Sequence, residues 1–203
     1  MARLSPENRR QAIIDAALMV ARDKGLAVTT VRDVAAEMGT SSGLIHHYFD
    51  SMDEVLAEAF AQTARVDLVA VTKAVADAPD PVSAVKAFFV SYAPVESDGT
   101  FQLWLDAWSE ATRRPALRET SADLNVAWKE LVEGLVRSGV EVGVFRCPDP
   151  EAASWRIISL LDGLVLQVVA HRTTITRDRM LRWAAEATEA ELGLPAGTLN
   201  TRD

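Results

Sequence analysis

Between Thr30 and Tyr48 the chain gathers Thr30, Arg32, Ser41, Ser42, His46, His47 and Tyr48, all hydrogen-bonding side chains, with Gly43 among them. Such groups suit phosphate oxygens and base edges, and a guanidinium such as that of Arg32 can reach guanine O6 and N7 together. Catalysis needs other company. The chain has no glycine-rich phosphate loop, no serine in a G-x-S-x-G elbow and only three histidines, so an enzyme is excluded. His46 and His47 diverge by about 100° if they lie on a helix. No cysteine or carboxylate pair with ligand spacing accompanies them, so neither a metal nor a cofactor is expected.

The apolar residues around these groups say how they are held. Val31, Val34, Ala35 and Met38 recur at three and four residues, one inward face of a short helix that Thr29 or Thr30 can cap. Gly39 ends it, and Thr40, Ser41 and Ser42 supply hydroxyls to cap a second helix from about Ser42. Ile45 and Phe49 then fall inward, turning Ser42, Gly43, His46 and His47 to solvent. Two short helices and a tight turn predict a helix-turn-helix whose exposed face fits a major groove. A first helix from about Ser5 to Gly25 packs over them. Arg3, Arg9 and Arg10 precede or open it, either as an arm along the DNA backbone or minor groove or as a disordered basic tail.

The segment Thr29 to Leu56 resembles the DNA-binding core of the tetracycline-repressor family of bacterial transcription regulators, at Thr30, Val34, Ala35, Met38, Gly39, Ser41, Gly43, Ile45 and Phe49, with Val55 in the last place of the pattern. Met52 stands where the family usually has a phosphate-binding lysine, and His46 where a tyrosine is common. The run His47-Tyr48-Phe49 is similar to that of the choline-responsive repressors within the family. The resemblance implies that Thr30 meets phosphate and Arg32 a base edge. It assigns Ser41, Ser42, Gly43, His46, His47 and Tyr48 to the recognition helix, with double-stranded operator DNA as partner.

Every sustained segment of the remaining chain has helical periodicity, with Gly and Pro falling between segments, so the fold class is all-α. Helices are expected near 51–78, 81–93, 99–113, 116–138, 150–171 and 176–192. The domains are then residues 1–50, the helix-turn-helix, and 51–203, a helical bundle for effector binding and dimerisation that begins with a connecting helix, 51–78. Charge follows the same division. Residues 1–50 are neutral, so the net −8 of the 203-residue chain resides in the rest. Such a body either repels phosphate, holding the duplex to the reader, or simply keeps the protein soluble.

Residues 150–171 are apolar on nearly every face, as at the centre of a domain or between a domain and a second subunit. The family's last two long helices form a four-helix dimer interface. The resemblance therefore implies a homodimer through Trp155, Ile158, Leu161, Val165, Val169, Leu181 and Ala185. Phe88, Tyr92, Phe101, Trp104, Trp108 and Trp128 lie in the helices that line the family's effector pocket, and are expected either to bind a small molecule or to fill the core. A cationic effector would have aromatic faces to rest on, but Asp106 and Glu110 lie about 200° around their helix from the tryptophan two residues before each, so they do not converge with Trp104 and Trp108.

The apolar run Ile157 to Ala170 is too short to span a bilayer and is interrupted by Asp162 and Gln167, so no membrane partner is expected. A single cysteine, Cys147, rules out an internal disulfide and is either a redox sensor or a structural residue at a loop edge. With an N-terminus that has no apolar signal region, this points to the cytoplasm. A helical ligand-binding or protein-interaction dimer with a vestigial reader is the alternative, motivated by Met52 and the neutral first 50 residues.

Overall fold

The computed structural model describes residues 5–92, 98–172 and 174–200. Among the described residues there are helices and no strand: α1 (Pro6–Lys24), α2 (Val31–Glu37), α3 (Ser42–Tyr48), α4 (Met52–Ala76), α5 (Pro81–Tyr92), α6 (Asp98–Ala111), α7 (Pro115–Glu141), α8 (Pro150–Val169) and α9 (Arg177–Leu192). They form two compact units, Met1–Arg65 with Gly99–Leu124, and Val66–Asp98 with Asn125–Asp203.

Local chemistry explains the boundaries in the first unit. Ser5 Oγ accepts the Asn8 amide and Pro6 opens α1, where a missing N–H costs nothing. Thr30 rather than Thr29 caps α2, in a reciprocal box: its hydroxyl accepts the Asp33 amide while the Asp33 carboxylate accepts the Thr30 N–H. Lys24 adds an ion pair to Asp33, and its hydrogen bond, ahead of those from Thr30, lowers that carboxyl to about 2. Gly39, at φ +63°, then reverses the chain. Its amide bonds Ala36 O and that of Thr40 bonds Ala35 O, which closes the last turn as a Schellman motif. The apolar sides of α1, α2 and α3 meet over Ile13, Ala17, Val34, Ile45 and Phe49, all buried. From α4 come Val55, Leu56 and Phe60. Trp104 of α6 meets Phe60 edge-on at 4.8 Å.

In the second unit Phe88, Phe89, Val132, Val136, Ile157 and Leu192 converge from α5, α7, α8 and α9 on one apolar core. α8 packs on α9, and Arg156 clamps Glu191 with two bonds of 2.6 and 2.5 Å. α8 is long and apolar enough to cross a membrane by composition, with a mean hydropathy of 1.4. Its buried stripe of Ala153, Ile157, Ile158, Leu161 and Val165 and its ion pair to α9 are those of a helix packed inside a bundle. Buried Glu189 accepts the amides of Gly197 and Leu199, which satisfies its charge and ties the chain beyond α9 to that helix.

Candidate functional site

The reader presents the face its sequence implies. Arg32, Ser41, Gly43, His46 and His47 are exposed, Ser42 and Tyr48 half-buried, while Ile45 and Phe49 turn inward. Thr30 is exposed too, although its hydroxyl is engaged by Asp33. Arg32 is exposed and forms no ion pair among the described residues, while the neighbouring Asp33 is held by Lys24. His47 and Tyr48 meet edge-on at 5.1 Å, which fixes both rings at the end of α3. Two expectations are corrected. Ser41 occupies the cap position of α3 but makes no capping bond, so its hydroxyl remains available. Arg10 is no DNA arm: its guanidinium lies 4.2 Å over the Phe49 ring and is paired with Glu54 and Glu58, fastening α1 to α4. Arg9 is half-buried at the start of α1, and Arg3 lies outside the described residues.

Of the six aromatic residues singled out for an effector, three lie in each unit. In the first unit Trp104 is buried, with its centroid 5.6 Å from that of Trp108, and Phe101 is half-buried. In the second unit Tyr92 stands 5.4 Å from Phe88 and 5.5 Å, edge-on, from Trp128. The residue that organises this second group is one the sequence had shown only as an interruption of an apolar helix. Asp162 of α8 accepts the Tyr92 hydroxyl at 2.6 Å. Burial pushes its carboxyl up from 3.8 to about 6, against the lowering effect of the Tyr92 bond, and burial first and Asp162 second push the Tyr92 phenol well above 10. No lysine, arginine or histidine pairs with Asp162 among the described residues. Trp128 Nε1 is buried and has no partner among them either. A partly desolvated carboxylate, two aromatic faces and an unused N–H together can hold a small cation that also carries an oxygen.

Neither Asp106 nor Glu110 is a counter-charge. Asp106 Oδ2 accepts the Leu26 amide at 3.2 Å, and Glu110 holds Arg113 and Arg114. Cys147 is buried, which pushes its thiol up and keeps it protonated. No cluster of three potential metal ligands occurs among the described residues.

Of the residues expected at a subunit interface, Ile158, Leu161, Val165 and Ala185 are buried within the chain itself. That expectation is corrected for these four, whose stripe faces the chain's own core. Trp155, Val169 and Leu181 are half-exposed, and the outward side of α8 carries Ser159, Leu160 and Gly163.

Comparison with known proteins decides the family. Residues 13–59 match the bacterial regulatory proteins of the tetR family, and residues 81–193 match the C-terminal part of BetI-type transcriptional repressors. The chain belongs to the TetR family. The BetI regulator of Rhizobium meliloti (strain 1021) is 32% identical to it over 166 residues, 78% of this chain and 77% of that one. The BetI regulator of Paraburkholderia xenovorans (strain LB400) is likewise 32% identical, over 79% of this chain and 82% of that one. Among solved structures, a transcriptional regulator from Pseudomonas aeruginosa PAO1 superposes with a TM-score of 0.81 at 26% identity, covering 94% of this chain and 93% of its own. A regulator from Saccharomonospora viridis, solved in complex with choline, superposes at 0.77 and 24% identity over 88% of this chain and 94% of its own. The TetR-family chain is therefore a DNA-binding transcriptional regulator and not an enzyme.

Proposed function

We propose that this TetR-family regulator is a homodimeric repressor that reads a two-fold symmetric operator and is released by a small organic cation bound at Asp162. Residues 1–50 are the DNA-binding domain, 51–78 the connecting helix, and 51–203 the effector-binding and dimerisation domain. Arg32 reads a base edge, Thr30, His47 and Tyr48 contact phosphate, and Ser41, Ser42, Gly43 and His46 line the groove. The two recognition helices of a dimer, about 34–36 Å apart, engage successive major grooves. The dimer forms on the outward sides of α8 and α9, around Trp155, Leu160, Val169 and Leu181. The protein acts in the cytoplasm, where its operator lies.

The observation that carries the effector class is Asp162: a half-buried carboxylate that no lysine, arginine or histidine pairs among the described residues, beside Tyr92 and Trp128. A bound ammonium supplies the missing charge while the rings cover its apolar surface. The Trp128 N–H, without a partner among the described residues, suits an oxygen on the same molecule. Choline, with which the S. viridis protein of the same fold was solved, has both features and is the natural probe. Linkage requires that the cation favour a dimer in which the readers are wrongly spaced. Choline titrated into the dimer on a duplex selected from a random pool should quench or shift tryptophan fluorescence and release the duplex over the same concentration range. Unchanged fluorescence and retained duplex at millimolar choline would reject the cation. The reading as a ligand-binding dimer with a vestigial reader gains support from Met52, and salt distinguishes it: a true reader loses affinity with a log-log slope of about 0.9 per phosphate neutralised.

A further inference from the structure

The turn that delivers the chain from α1 to α2 is not self-sufficient. Gly25 leaves α1 at φ +93° and ψ +151°, a conformation that carries the chain away from the helix, and its amide still bonds Ala21 O. Leu26, next in line, is fully buried. Its N–H makes no bond to a backbone carbonyl among the described residues, and its acceptor is Asp106 Oδ2 on α6, at 3.2 Å and 80 residues further along the chain. The same oxygen would lie 3.3 Å from a Cβ built on Gly25, so the glycine leaves room for the carboxylate to come this close. The second oxygen of Asp106 accepts Gln102 Nε2 at 3.1 Å, which orients the carboxylate from its own helix.

From Leu26 the bonds run directly into the reader. The Thr29 amide bonds Leu26 O at 3.3 Å, and the buried Thr29 hydroxyl donates to Gly25 O at 2.8 Å. Thr30 then caps α2, two residues before Arg32. A second carboxylate fastens the far end of α6 to the same unit: Asp53, in the first turn of α4, accepts the Ala116 amide at the start of α7 at 3.0 Å. These bonds agree with the membership of the compact unit, in which Gly99–Leu124 cluster with Met1–Arg65.

We propose that Asp106 is a positioning residue for DNA binding: by holding the Leu26 amide it sets where α2 starts, and with it Arg32, so that α6 and the reader move as one body. The inference rests on the reading of this chain as a DNA binder. It places a determinant of operator affinity on a helix outside the helix-turn-helix, on a side chain that touches no nucleic acid.

The test uses the full chain with Asp106→Ala and Asp106→Asn, each measured for affinity to the selected duplex, for hydrogen exchange of the Leu26 amide and for thermal unfolding. Asn keeps an acceptor oxygen where Ala has none. D106A is expected to bind the duplex about tenfold more weakly or worse, the scale of one lost hydrogen bond to a charged acceptor, with the Leu26 amide exchanging faster. D106N should recover most of both. Binding by D106A within twofold of wild type overturns the proposal, as does an unchanged Leu26 exchange rate. So does D106N falling as far as D106A while both lower the unfolding temperature alike, since that pattern is general destabilisation. A wild-type chain that retains no duplex overturns the DNA-binding reading and this inference together, whereas a binding wild type with an indistinguishable D106A overturns the inference alone.

Discussion

Replacing Asp162 by Asn should make the free protein more stable and the effector response disappear. The carboxyl of Asp162 is raised from 3.8 to about 6, chiefly by burial. That is about two pKa units at about 1.4 kcal/mol each, so the ionised form carries a penalty of about 2–3 kcal/mol in the folded chain. The sign follows from proton counts. Between pH 4 and 6 the folded state binds more protons at this site than the unfolded chain does, so stability falls as pH rises through that window, and the full penalty is present above it. Asn is nearly the same size, can still accept the Tyr92 hydroxyl and has no charge to desolvate. At pH 7 the variant is therefore expected to unfold roughly 5–10 °C above wild type, at about 2–4 °C per kcal/mol for a chain of this length. The same change removes the counter-charge for a cation, so choline should neither perturb its tryptophan fluorescence nor release its operator. Scanning calorimetry and a choline titration on both proteins check the two halves. A variant that melts at or below wild type would refute the burial reasoning, and one that still responds to choline would refute the role of the carboxylate.

The apparent affinity for choline should fall as the carboxylate protonates, by about tenfold between pH 8 and pH 5 for a group at about 6, as read from fluorescence titrations across that range. Arg32→Ala should weaken specific operator binding by roughly 1–3 kcal/mol and relax the preference at one position per half-site, measured by binding to a panel of single-base variants. Gly43→Ala should separate stability from binding. The added methyl meets only Ser41 Oγ at 3.8 Å and so raises helix stability by roughly 0.5–1 kcal/mol, yet it stands on the exposed face of α3 and should weaken operator binding in a mobility-shift assay.

The helices were legible because their signals are local. Ser5-Pro6, Thr30 with Asp33, and Gly39 each mark a boundary within four residues of the chain, and the spacing of Ile45 and Phe49 settles which side of α3 meets solvent. The proposed effector site was legible only in half. Phe88, Tyr92 and Trp128 stood out by type, but Asp162 lies 70 residues from Tyr92 and only the packing of α5 against α8 joins them. One signal was available, since an acid in the middle of an apolar helix demands a partner. The inward face of α8 was hidden for the opposite reason. With apolar residues on nearly every side the period carries no direction, so Ile158, Leu161 and Val165 read as readily for a subunit interface as for the core they fill. The bond from Leu26 to Asp106 had no local trace, because a backbone amide finding a distant carboxylate leaves nothing in the spacing of either segment.

Selection of randomised duplex DNA by the purified chain at near-physiological salt, followed by sequencing of the retained pool, tests the central claim most directly. A two-fold symmetric consensus with half-sites about one helical turn apart is the expected result, and its affinity should fall steeply as salt rises. A pool with no enriched sequence, or binding indifferent to salt, would contradict the assignment of Arg32 and the exposed face of α3 to DNA.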